Sequence, residues 1–357
     1  LILKVMSYFC VVKIHEKYLS RCIQLAKNGL GSTYPNPLVG SVIVHNDKII
    51  GEGWHRKAGE PHAEVHAINS VKDQSLLKES TIYVSLEPCS HFGKTPPCCD
   101  LIIAHKIPKV VVGTIDPFSK VAGSGIQRLR DNGCEVTVGV LEKECLELNK
   151  RFFTFHNKKR PYIILKWAES RDGFIAPLSK DTKAPIWISN EYSRQLVHQW
   201  RAEEQAILVG TQTVLDDNPK LDVRDWTGKN PTRIVLDRQG KIDSNYFVND
   251  GKTKTVVITE QEKLIESENV RAEIITFDNQ LSQKIVDVVY RLGLQSIIIE
   301  GGKQTLQTFI DDRLWDEARV FVSHTILEKG ITAPQLNRIG KTTKIKTDQL
   351  TIILNHD

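Results

Sequence analysis

Short apolar, β-rich runs alternate with helix-length segments along almost the whole chain. In the first half, the pattern predicts strands at residues 39–44, 48–53, 81–85, 109–114 and 135–140, and helices at 15–30, 62–71, 98–105, 125–132 and 142–156. Strands that alternate with helices in this way indicate an α/β layer sandwich with a mostly parallel sheet.

The second half repeats the alternation after a basic, proline-containing stretch at residues 157–161. Here the pattern predicts strands at residues 162–168, 206–209, 232–236, 255–258, 296–299, 317–323 and 350–354, and helices at 190–201, 280–292 and 305–312. A chain of 357 residues is long enough for two domains. We therefore predict one α/β domain over residues 13–156 and a second over residues 161–357.

Charge and cysteine content narrow the classes of function. The net charge is only +5, with no dense Lys/Arg block, so we expect a small-molecule substrate and no nucleic-acid partner. No run reaches the roughly 18 uncharged apolar residues of a membrane span, and the apolar stretch at 1–12 lacks a following cleavage site. Seven cysteines, an odd number, indicate reduced thiols. These features predict a soluble cytoplasmic protein without a membrane partner, and they leave a homo-oligomer open.

Three residues of the first half form a candidate metal site. His62 opens a predicted helix, and Cys89 and Cys98 follow one strand and one turn later. One imidazole and two thiolates suit Zn²⁺ and leave a fourth position open, as a catalytic site requires. Glu64 is the candidate proton shuttle, and Cys99 is the rival ligand because it neighbours Cys98. The arrangement resembles the signature of zinc nucleobase deaminases, with the usual Cys-x-x-Cys loop stretched to Cys89-x₈-Cys98.

The segments 35–40, 51–55, 58–66 and 87–98 resemble the bacterial riboflavin-biosynthesis deaminase/reductase family, and the likeness extends over nearly the whole chain from about residue 15. The resemblance implies an N-terminal cytidine-deaminase-like α/β/α sandwich in which His62, Cys89 and Cys98 bind zinc and Glu64 transfers protons. It also implies pyrimidine or ribose-phosphate contacts by Asn36, His91 and Lys94.

The second half lacks the Gly-x-Gly-x-x-Gly fingerprint of standard dinucleotide sites. Strands that run through glycine into helices at 207–213 and 296–302 can still hold phosphate on backbone N–H groups. With the segments 166–173, 187–189 and 213–219, they resemble the reductase half of the same family, which implies a dihydrofolate-reductase-like α/β fold and NADPH.

The resemblance assigns roles in this half residue by residue. Lys166 and Asp217 would lie nearest the hydride transfer. The cofactor contacts would be Glu169, Trp187, Thr213, Asp217, Gly301 and Gly302, and the substrate contacts would be Pro185, Arg201, Leu221, Arg224 and Glu300. Two positions depart from the family pattern: Pro185 stands where serine is usual, and Glu169 replaces a small residue. A carboxylate beside a cofactor phosphate would repel it.

The resemblance implies a two-step enzyme, a zinc-dependent hydrolase joined to an NADP-dependent oxidoreductase. The first step would deaminate 2,5-diamino-6-(ribosylamino)-4(3H)-pyrimidinone 5'-phosphate. The second would reduce the ribosyl group of 5-amino-6-(5-phosphoribosylamino)uracil to ribityl. Two alternatives are a deaminase with a degenerate reductase domain and a nucleic-acid-editing deaminase. The near-balanced charge and the second α/β domain argue against the latter.

Overall fold

The computed structural model describes residues 2–92, 96–117, 123–179, 186–262, 267–337 and 339–355, with only the backbone described for residues 2–12. The chain divides into two compact units, Leu1–Lys158 and Lys159–Asp357. Within the described ranges, no helix combines the length and the apolar character needed to cross a membrane.

The first unit is built around a five-stranded sheet with the order β2-β1-β3-β4-β5. Its strands are β1 (Gly40–His45), β2 (Lys48–Trp54), β3 (Thr81–Leu86), β4 (Lys109–Thr114) and β5 (Glu135–Val138). Its helices are α1 (Ile2–Ala26), α2 (Ala63–Ser70), α3 (Cys98–Ala104), α4 (Ser124–Asp131), α5 (Glu142–Leu148) and α6 (Lys150–Asn157), with short 3₁₀ turns at Lys27–Gly29 and Gln74–Glu79.

Only part of this sheet is parallel. Strands β3, β4 and β5 run parallel, whereas β1 is antiparallel to both β2 and β3. Asn46 and Asp47 connect β1 to β2 with positive φ angles of 45° and 58°. Two such residues form the tight turn that matches the twist of a hairpin, so this edge of the sheet is antiparallel.

Alternate side chains of the same strand enter two separate cores. Val42 and Val44 of β1 pack on the side of α1 and α5, whereas Ile43 packs on the side of α2, α3 and α4. Because successive residues of a strand point to opposite faces, one sheet carries helices on both sides. The expected α/β/α sandwich is therefore present.

The second unit contains a nine-stranded sheet with the order β11-β10-β9-β8-β12-β6-β13-β16-β15 and a small β14-β7 pair. Its strands are β6 (Tyr162–Glu169), β7 (Phe174–Ala176), β8 (Ala206–Gly210), β9 (Thr232–Leu236), β10 (Thr255–Thr259), β11 (Val270–Ile274), β12 (Ser296–Ile299), β13 (Glu317–Val322), β14 (Ile331–Thr332), β15 (Lys341–Ile345) and β16 (Asp348–Leu354). Its helices are α7 (Glu191–Glu203), α8 (Thr211–Asp217), α9 (Leu281–Arg291) and α10 (Lys303–Asp311), with a 3₁₀ turn at Phe247–Asn249.

The chain direction at the centre of this sheet creates a crevice. The seven strands from β11 to β13 are parallel. From β8 the chain continues to β9 on one side, whereas from the neighbouring β12 it continues to β13 on the other. Ligands of open α/β sheets bind at such a reversal, outside the carboxyl ends of the strands. The ends of β8 and β12 are therefore the expected position of a site.

The element boundaries differ from the sequence prediction in a few places. The predicted helix 142–156 breaks at Asn149, whose buried side chain accepts a hydrogen bond from Leu38 N (2.7 Å) and donates one to Leu38 O (2.8 Å). The strands β7, β11, β14 and β15 were not predicted. β7 and β14 are very short, and every residue of β15 is at least partly exposed, so it shows no apolar alternation. Helix α1 begins at Ile2 instead of residue 15, since no glycine or proline interrupts the segment.

Candidate active sites

The three predicted zinc ligands converge in the first unit. His62 precedes the first residue of α2, Cys89 follows the end of β3, and Cys98 is the first residue of α3. Their donor atoms all lie within 4.8 Å of one another, and His62 Nδ1 lies 3.6 Å from Cys89 Sγ and 3.3 Å from Cys98 Sγ. One nitrogen and two sulfurs at this separation fit a zinc ion with an open fourth position.

The two thiols differ in how readily they ionise. Hydrogen bonds from the Cys98 thiol and from His62 lower the pKa of Cys89 to about 4, although burial opposes the shift. The same thiol contact, together with burial, raises the pKa of Cys98. Contact with Cys89 raises the pKa of His62. The site therefore already favours one thiolate, and a bound cation would favour the second, because zinc ligands bind deprotonated.

Glu64 lies in the first turn of α2, and 3% of its surface is exposed. Burial, followed by the charge of Cys89, raises the pKa of this carboxyl to about 7. A carboxyl with such a pKa can accept or donate a proton near neutral pH, which suits general acid–base chemistry. Cys99, the rival ligand, instead directs its thiol to Pro88 O (3.2 Å) and Gly125 O (3.5 Å).

Asn36 is held near the ligands by a residue to which the sequence analysis gave no role. Asn36 Nδ2 lies 3.0 Å from His55 Nε2, and His55 Nδ1 lies 3.1 Å from Pro61 O. These contacts suit a neutral imidazole that donates from Nδ1 and accepts at Nε2, and burial lowers the pKa of His55 accordingly. The His55 and His62 rings meet edge to face, 5.4 Å apart. The one signal in the sequence was the position of His55 at the end of the family segment 51–55.

Two further predicted contacts, His91 and Lys94, follow Cys89 in the sequence. His91 is exposed. Lys94 lies outside the described residues, as does Pro185 in the second unit.

Most of the predicted reductase residues surround one cavity of about 420 Å³. Those that line it are Lys166, Trp187, Arg201, Thr213, Asp217, Leu221, Arg224 and Glu300. They come from strands, helices and loops spread over residues 166–300. The fold thus brings together residues that the sequence separates widely.

Buried charges of opposite sign meet at the wall of this cavity. Arg201 donates two hydrogen bonds to Glu300, from Nη2 to Oε2 (2.8 Å) and from Nε to Oε1 (3.3 Å), and Lys166 Nζ lies 4.0 Å from Oε2. Burial opposes ionisation, but the charges of Arg201 and Lys166 hold the pKa of Glu300 at about 2. Burial lowers the pKa of Lys166, while Glu300 acts in the opposite direction. Glu300 is therefore a carboxylate that already occupies the guanidinium fork of Arg201.

A second cavity of about 710 Å³ opens at the carboxyl ends of β8 and β9 and shares Thr213 with the first. Gly210 and Gly302 line it, and Gly302 has a φ of +62°. Gly301 packs closely behind them, since a Cβ there would lie 2.6 Å from Val209 Cα. A glycine-lined entry to α10 lets backbone approach a phosphate closely, so this cleft fits a dinucleotide.

Glu169 lines neither cavity. It is 3% exposed at the end of β6, where its Oε2 accepts a hydrogen bond from Trp167 Nε1 (2.9 Å). Several residues that line the cavities had no predicted role, among them His198 in the smaller one and Arg238 and Lys241 in the larger one. His198 lies one helical turn before Arg201, which was the available signal. Arg238 and Lys241 follow β9 without a recognisable motif.

Comparison with known proteins identifies the family. Residues 161–351 match the family described as the RibD C-terminal domain, and residues 12–114 match the cytidine and deoxycytidylate deaminase zinc-binding region. The riboflavin biosynthesis protein RibD of Aquifex aeolicus is 40% identical over 91% of each chain. The RibD protein of Escherichia coli is 36% identical over 94% of this chain and 95% of its own. The chain belongs to the RibD family.

Solved structures agree with membership of the RibD family. A diaminohydroxyphosphoribosylaminopyrimidine deaminase/5-amino-6-(5-phosphoribosylamino)uracil reductase of Thermotoga maritima is 36% identical, with a TM-score of 0.87 over 96% of this chain and 99% of that one. RibD of Acinetobacter baumannii is 31% identical with a TM-score of 0.83, over the same shares of the two chains.

Membership of the RibD family makes this chain a bifunctional riboflavin-biosynthesis enzyme, with a zinc-dependent deaminase domain and an NADPH-dependent reductase domain. The expected fold class and the expected pair of cofactors are thereby confirmed. Neither a deaminase with a degenerate reductase domain nor a nucleic-acid-editing deaminase is favoured.

Proposed function

We propose that the first unit removes the 2-amino group of 2,5-diamino-6-(ribosylamino)-4(3H)-pyrimidinone 5'-phosphate as ammonia, and that the second reduces the ribosyl group of the product to ribityl. The observation that carries this proposal is the convergence of His62, Cys89 and Cys98 beside the buried Glu64. The names of the Thermotoga maritima relative's two activities support the same pair of reactions.

In the deamination, His62, Cys89 and Cys98 hold the zinc ion. When bound, zinc supplies the nucleophile by lowering the pKa of a coordinated water. Glu64 then accepts the two protons of the attacking water in turn and delivers one to the ring nitrogen and one to the leaving amine. Its place in the first turn of α2 keeps this carboxyl beside the ligand His62.

The remaining deaminase residues bind the substrate. Asn36 holds the pyrimidine, and its amide orientation is set by the 3.0 Å contact with His55. His91, exposed two residues after Cys89, and Lys94 contact the ribose phosphate. Both can carry positive charge, which suits a phosphate group.

In the reduction, charged residues bind the substrate in the smaller cavity. Arg201 and Arg224 contact the ribose phosphate, to which guanidinium groups bond well. Glu300 already occupies two donors of Arg201, so Arg224, whose side chain is 39% exposed, makes more of the phosphate contact. Leu221, Glu300 and Pro185 complete the proposed substrate contacts.

NADPH supplies the hydride that reduces the ribosyl C1' carbon. Gly301 and Gly302 allow backbone to approach the cofactor phosphates, and Trp187, Thr213 and Asp217 complete the proposed contacts. We leave Glu169 out of this set because it is buried at the end of β6 and lines neither cavity. Lys166 lies in the cavity wall beside Glu300, where its positive charge would stabilise charge that develops on the substrate. Lys166 and Asp217 are the polar groups that we assign nearest to the transfer.

The proposal also covers the domain boundaries, the cellular location and the oligomeric state. We assign the deamination to residues 13–156 and the reduction to residues 161–357. Six described cysteines are free, including both proposed thiolate ligands, which suits a reducing cytoplasm. We also propose that the enzyme forms a homo-oligomer and has no nucleic-acid partner. Light scattering of the purified enzyme would determine its mass in solution.

The decisive experiment incubates the full-length enzyme with the pyrimidinone nucleotide, with and without NADPH. Ammonia and cofactor absorbance are followed separately. We expect ammonia in both samples, and NADPH oxidation only after deamination has begun. Oxidation of NADPH without ammonia, or ammonia release that survives complete removal of zinc, would contradict the proposal.

A further inference from the structure

The long spacing between Cys89 and Cys98 raises a structural question. In the Cys-x-x-Cys form of the deaminase signature, the two thiolates lie three positions apart. Here Cys89 follows β3, whereas Cys98 begins α3 nine positions later. Residues 93–95 between them lie outside the described part of the chain. The start of α3 carries Cys98 and also contacts Cys89, since Cys98 N donates to Cys89 Sγ (3.2 Å) and Cys99 N to Cys89 O (3.2 Å). Further contacts hold the residues on either side of Cys89.

Glu87, two residues before Cys89, anchors this segment to helix α4. Its side chain is buried, and both carboxylate oxygens accept hydrogen bonds from backbone amides. The donors are Asp116 N (3.3 Å) and Gly123 N (3.1 Å) to Oε2, and Gly125 N (2.8 Å) and Ile126 N (3.3 Å) to Oε1. Amides at the start of a helix have no partner within the helix, so one carboxylate satisfies several of them at once.

The backbone of α4 also packs directly against the segment that carries Cys89. A Cβ at Gly125 would lie only 2.2 Å from Pro88 O, so only glycine allows this approach. Ser90 Oγ and Ser124 Oγ lie 2.6 Å apart on the other side of Cys89. The start of α4 thus contacts the residues immediately before and after the proposed ligand.

Arg128, one turn further along α4, joins the two cysteine-bearing segments. Its Nη1 donates to Ser90 O (3.3 Å), and its Nη2 pairs with Asp100 Oδ1 (2.6 Å). Ser90 follows Cys89, and Asp100 lies two residues after Cys98 on α3. One guanidinium therefore spans from one sulfur-bearing segment to the other.

We propose that Glu87 and Arg128 are positioning residues of the zinc centre. Acting through α4, and together with the two α3 amides that bond to Cys89, they hold Cys89 and Cys98 at the separation that zinc requires despite the long loop between them. Neither side chain touches the metal or the substrate. This inference rests on the proposed ligand set, and its test separates the two.

The main test is Glu87→Gln in the full-length enzyme. An amide offers one accepting oxygen and turns an NH₂ group towards backbone donors, so the four-amide contact cannot persist. We expect the affinity for zinc, measured by competition with a chromophoric chelator, to fall about 10- to 100-fold. In the cobalt-substituted protein, we expect altered sulfur-to-metal charge-transfer absorption. Glu52→Gln, which removes a carboxylate paired with Arg21 on the surface, is the matched control and should leave both readouts unchanged.

Arg128→Ala provides the second variant, and it tests the bridge between the two segments. The Arg128 side chain is 40% exposed, so we expect the variant to fold and to lose zinc affinity only severalfold. Arg130→Ala is its control, because Arg130 lies on the same helix and donates to Val136 O in β5. This control should bind zinc as the wild type does.

The possible outcomes distinguish a failure of the proposed role of Glu87 and Arg128 from a failure of the proposed zinc ligands. If the Glu87 and Arg128 variants melt at lower temperature but keep the wild-type zinc affinity and cobalt spectrum, their role is merely structural and the inference is wrong. If Glu87→Gln does not fold, the affinity of Arg128→Ala relative to Arg130→Ala decides. If the wild type itself binds no stoichiometric zinc, the proposed ligand set fails instead.

Discussion

The zinc centre and the reductase cavity draw on very different lengths of chain. The proposed ligands and the proton shuttle lie within residues 62–98, at the ends of three neighbouring elements. The residues that line the reductase cavity extend from Lys166 to Glu300 and meet only because parallel strands end at one edge of a sheet. A metal demands fixed donors at fixed distances, whereas a cavity at a sheet edge can recruit side chains from many loops.

The two sites also differ in how their charge is balanced. In the reductase cavity, Arg201 and Lys166 both pair with Glu300, so cations of the fold neutralise its buried carboxylate. In the zinc centre, two sulfurs and the buried Glu64 carboxyl lie near one imidazole. The carboxylate of the first site is therefore neutralised by folding alone, whereas the thiolates of the second need a bound cation. Substitutions should therefore affect stability at one site and chemistry at the other.

The largest expected effect is the loss of deamination in Glu64→Gln. Glutamine has nearly the same size but cannot shuttle protons, so we expect ammonia release to slow by about 10²- to 10⁴-fold. Zinc content should stay at the wild-type value, because Glu64 is not a proposed ligand. Reduction of the deaminated nucleotide by NADPH should also be unchanged. Deamination by this variant at nearly the wild-type rate would contradict the role of Glu64 as the proton shuttle. The zinc centre would then not differ from the reductase cavity in the way described above.

The next largest effect should be the loss of stability in Glu300→Gln. Removing this carboxylate leaves two buried cations without their partner, which we expect to cost about 3 kcal/mol of unfolding free energy. Five of the six tryptophans lie in residues 159–357, so urea unfolding followed by tryptophan fluorescence reports mainly on this unit. The control Glu273→Gln removes only exposed ion pairs and should cost less than about 1 kcal/mol.

The same variant should change the response of stability to acid. The folded pKa of Glu300 is about 2, against an ordinary value of 4.5, so ionised Glu300 stabilises the fold. That contribution is fully present above the ordinary value and is lost as the pH falls through 4.5 towards 2. The difference in unfolding free energy between wild type and variant should therefore shrink over this interval. A difference that does not change with pH would show that Glu300 contributes through packing alone.

The contrast explains how far the sequence could predict each site. His62, Cys89 and Cys98 are recognisable because one imidazole and two thiolates form a ligand set typical of catalytic zinc. The alternating strands and helices predicted the sandwich around them. His55 and Glu87 were missed because their roles depend on backbone groups that only the folded chain brings near. In the second unit, Arg238 and Lys241 gave no signal, since a cavity wall tolerates many residue types. The break of the predicted helix at Asn149 could not be foreseen because Leu38, the hydrogen-bond partner of its side chain, lies 111 positions away in the sequence.

The smallest predicted effect concerns a glycine of the cofactor cleft. The test separates the cost of backbone strain from a loss of NADPH binding. Gly302 has a φ of +62°, and a Cβ there would meet only threonine hydroxyls, the nearest being Thr213 Oγ1 at 3.6 Å. With a ψ of 137°, this residue lies in a backbone region that side chains with a Cβ rarely adopt, so Gly302→Ala should fold with a loss of about 2 kcal/mol. Gly293→Ala, at a φ of +71° with nothing within 4 Å, should lose about 1 kcal/mol.

The two glycine variants should differ in cofactor binding. At Gly302 the added methyl group projects into the cleft where we place the cofactor phosphates, so the Kd for NADPH, measured by fluorescence titration, should rise severalfold. At Gly293 the Kd should equal that of the wild type, because this turn does not line the cleft. Equal affinities for NADPH in both variants would show that the cofactor phosphates do not bind at the entry to α10. The contrast with the zinc centre would then be sharper, since no single backbone position would define the cofactor site.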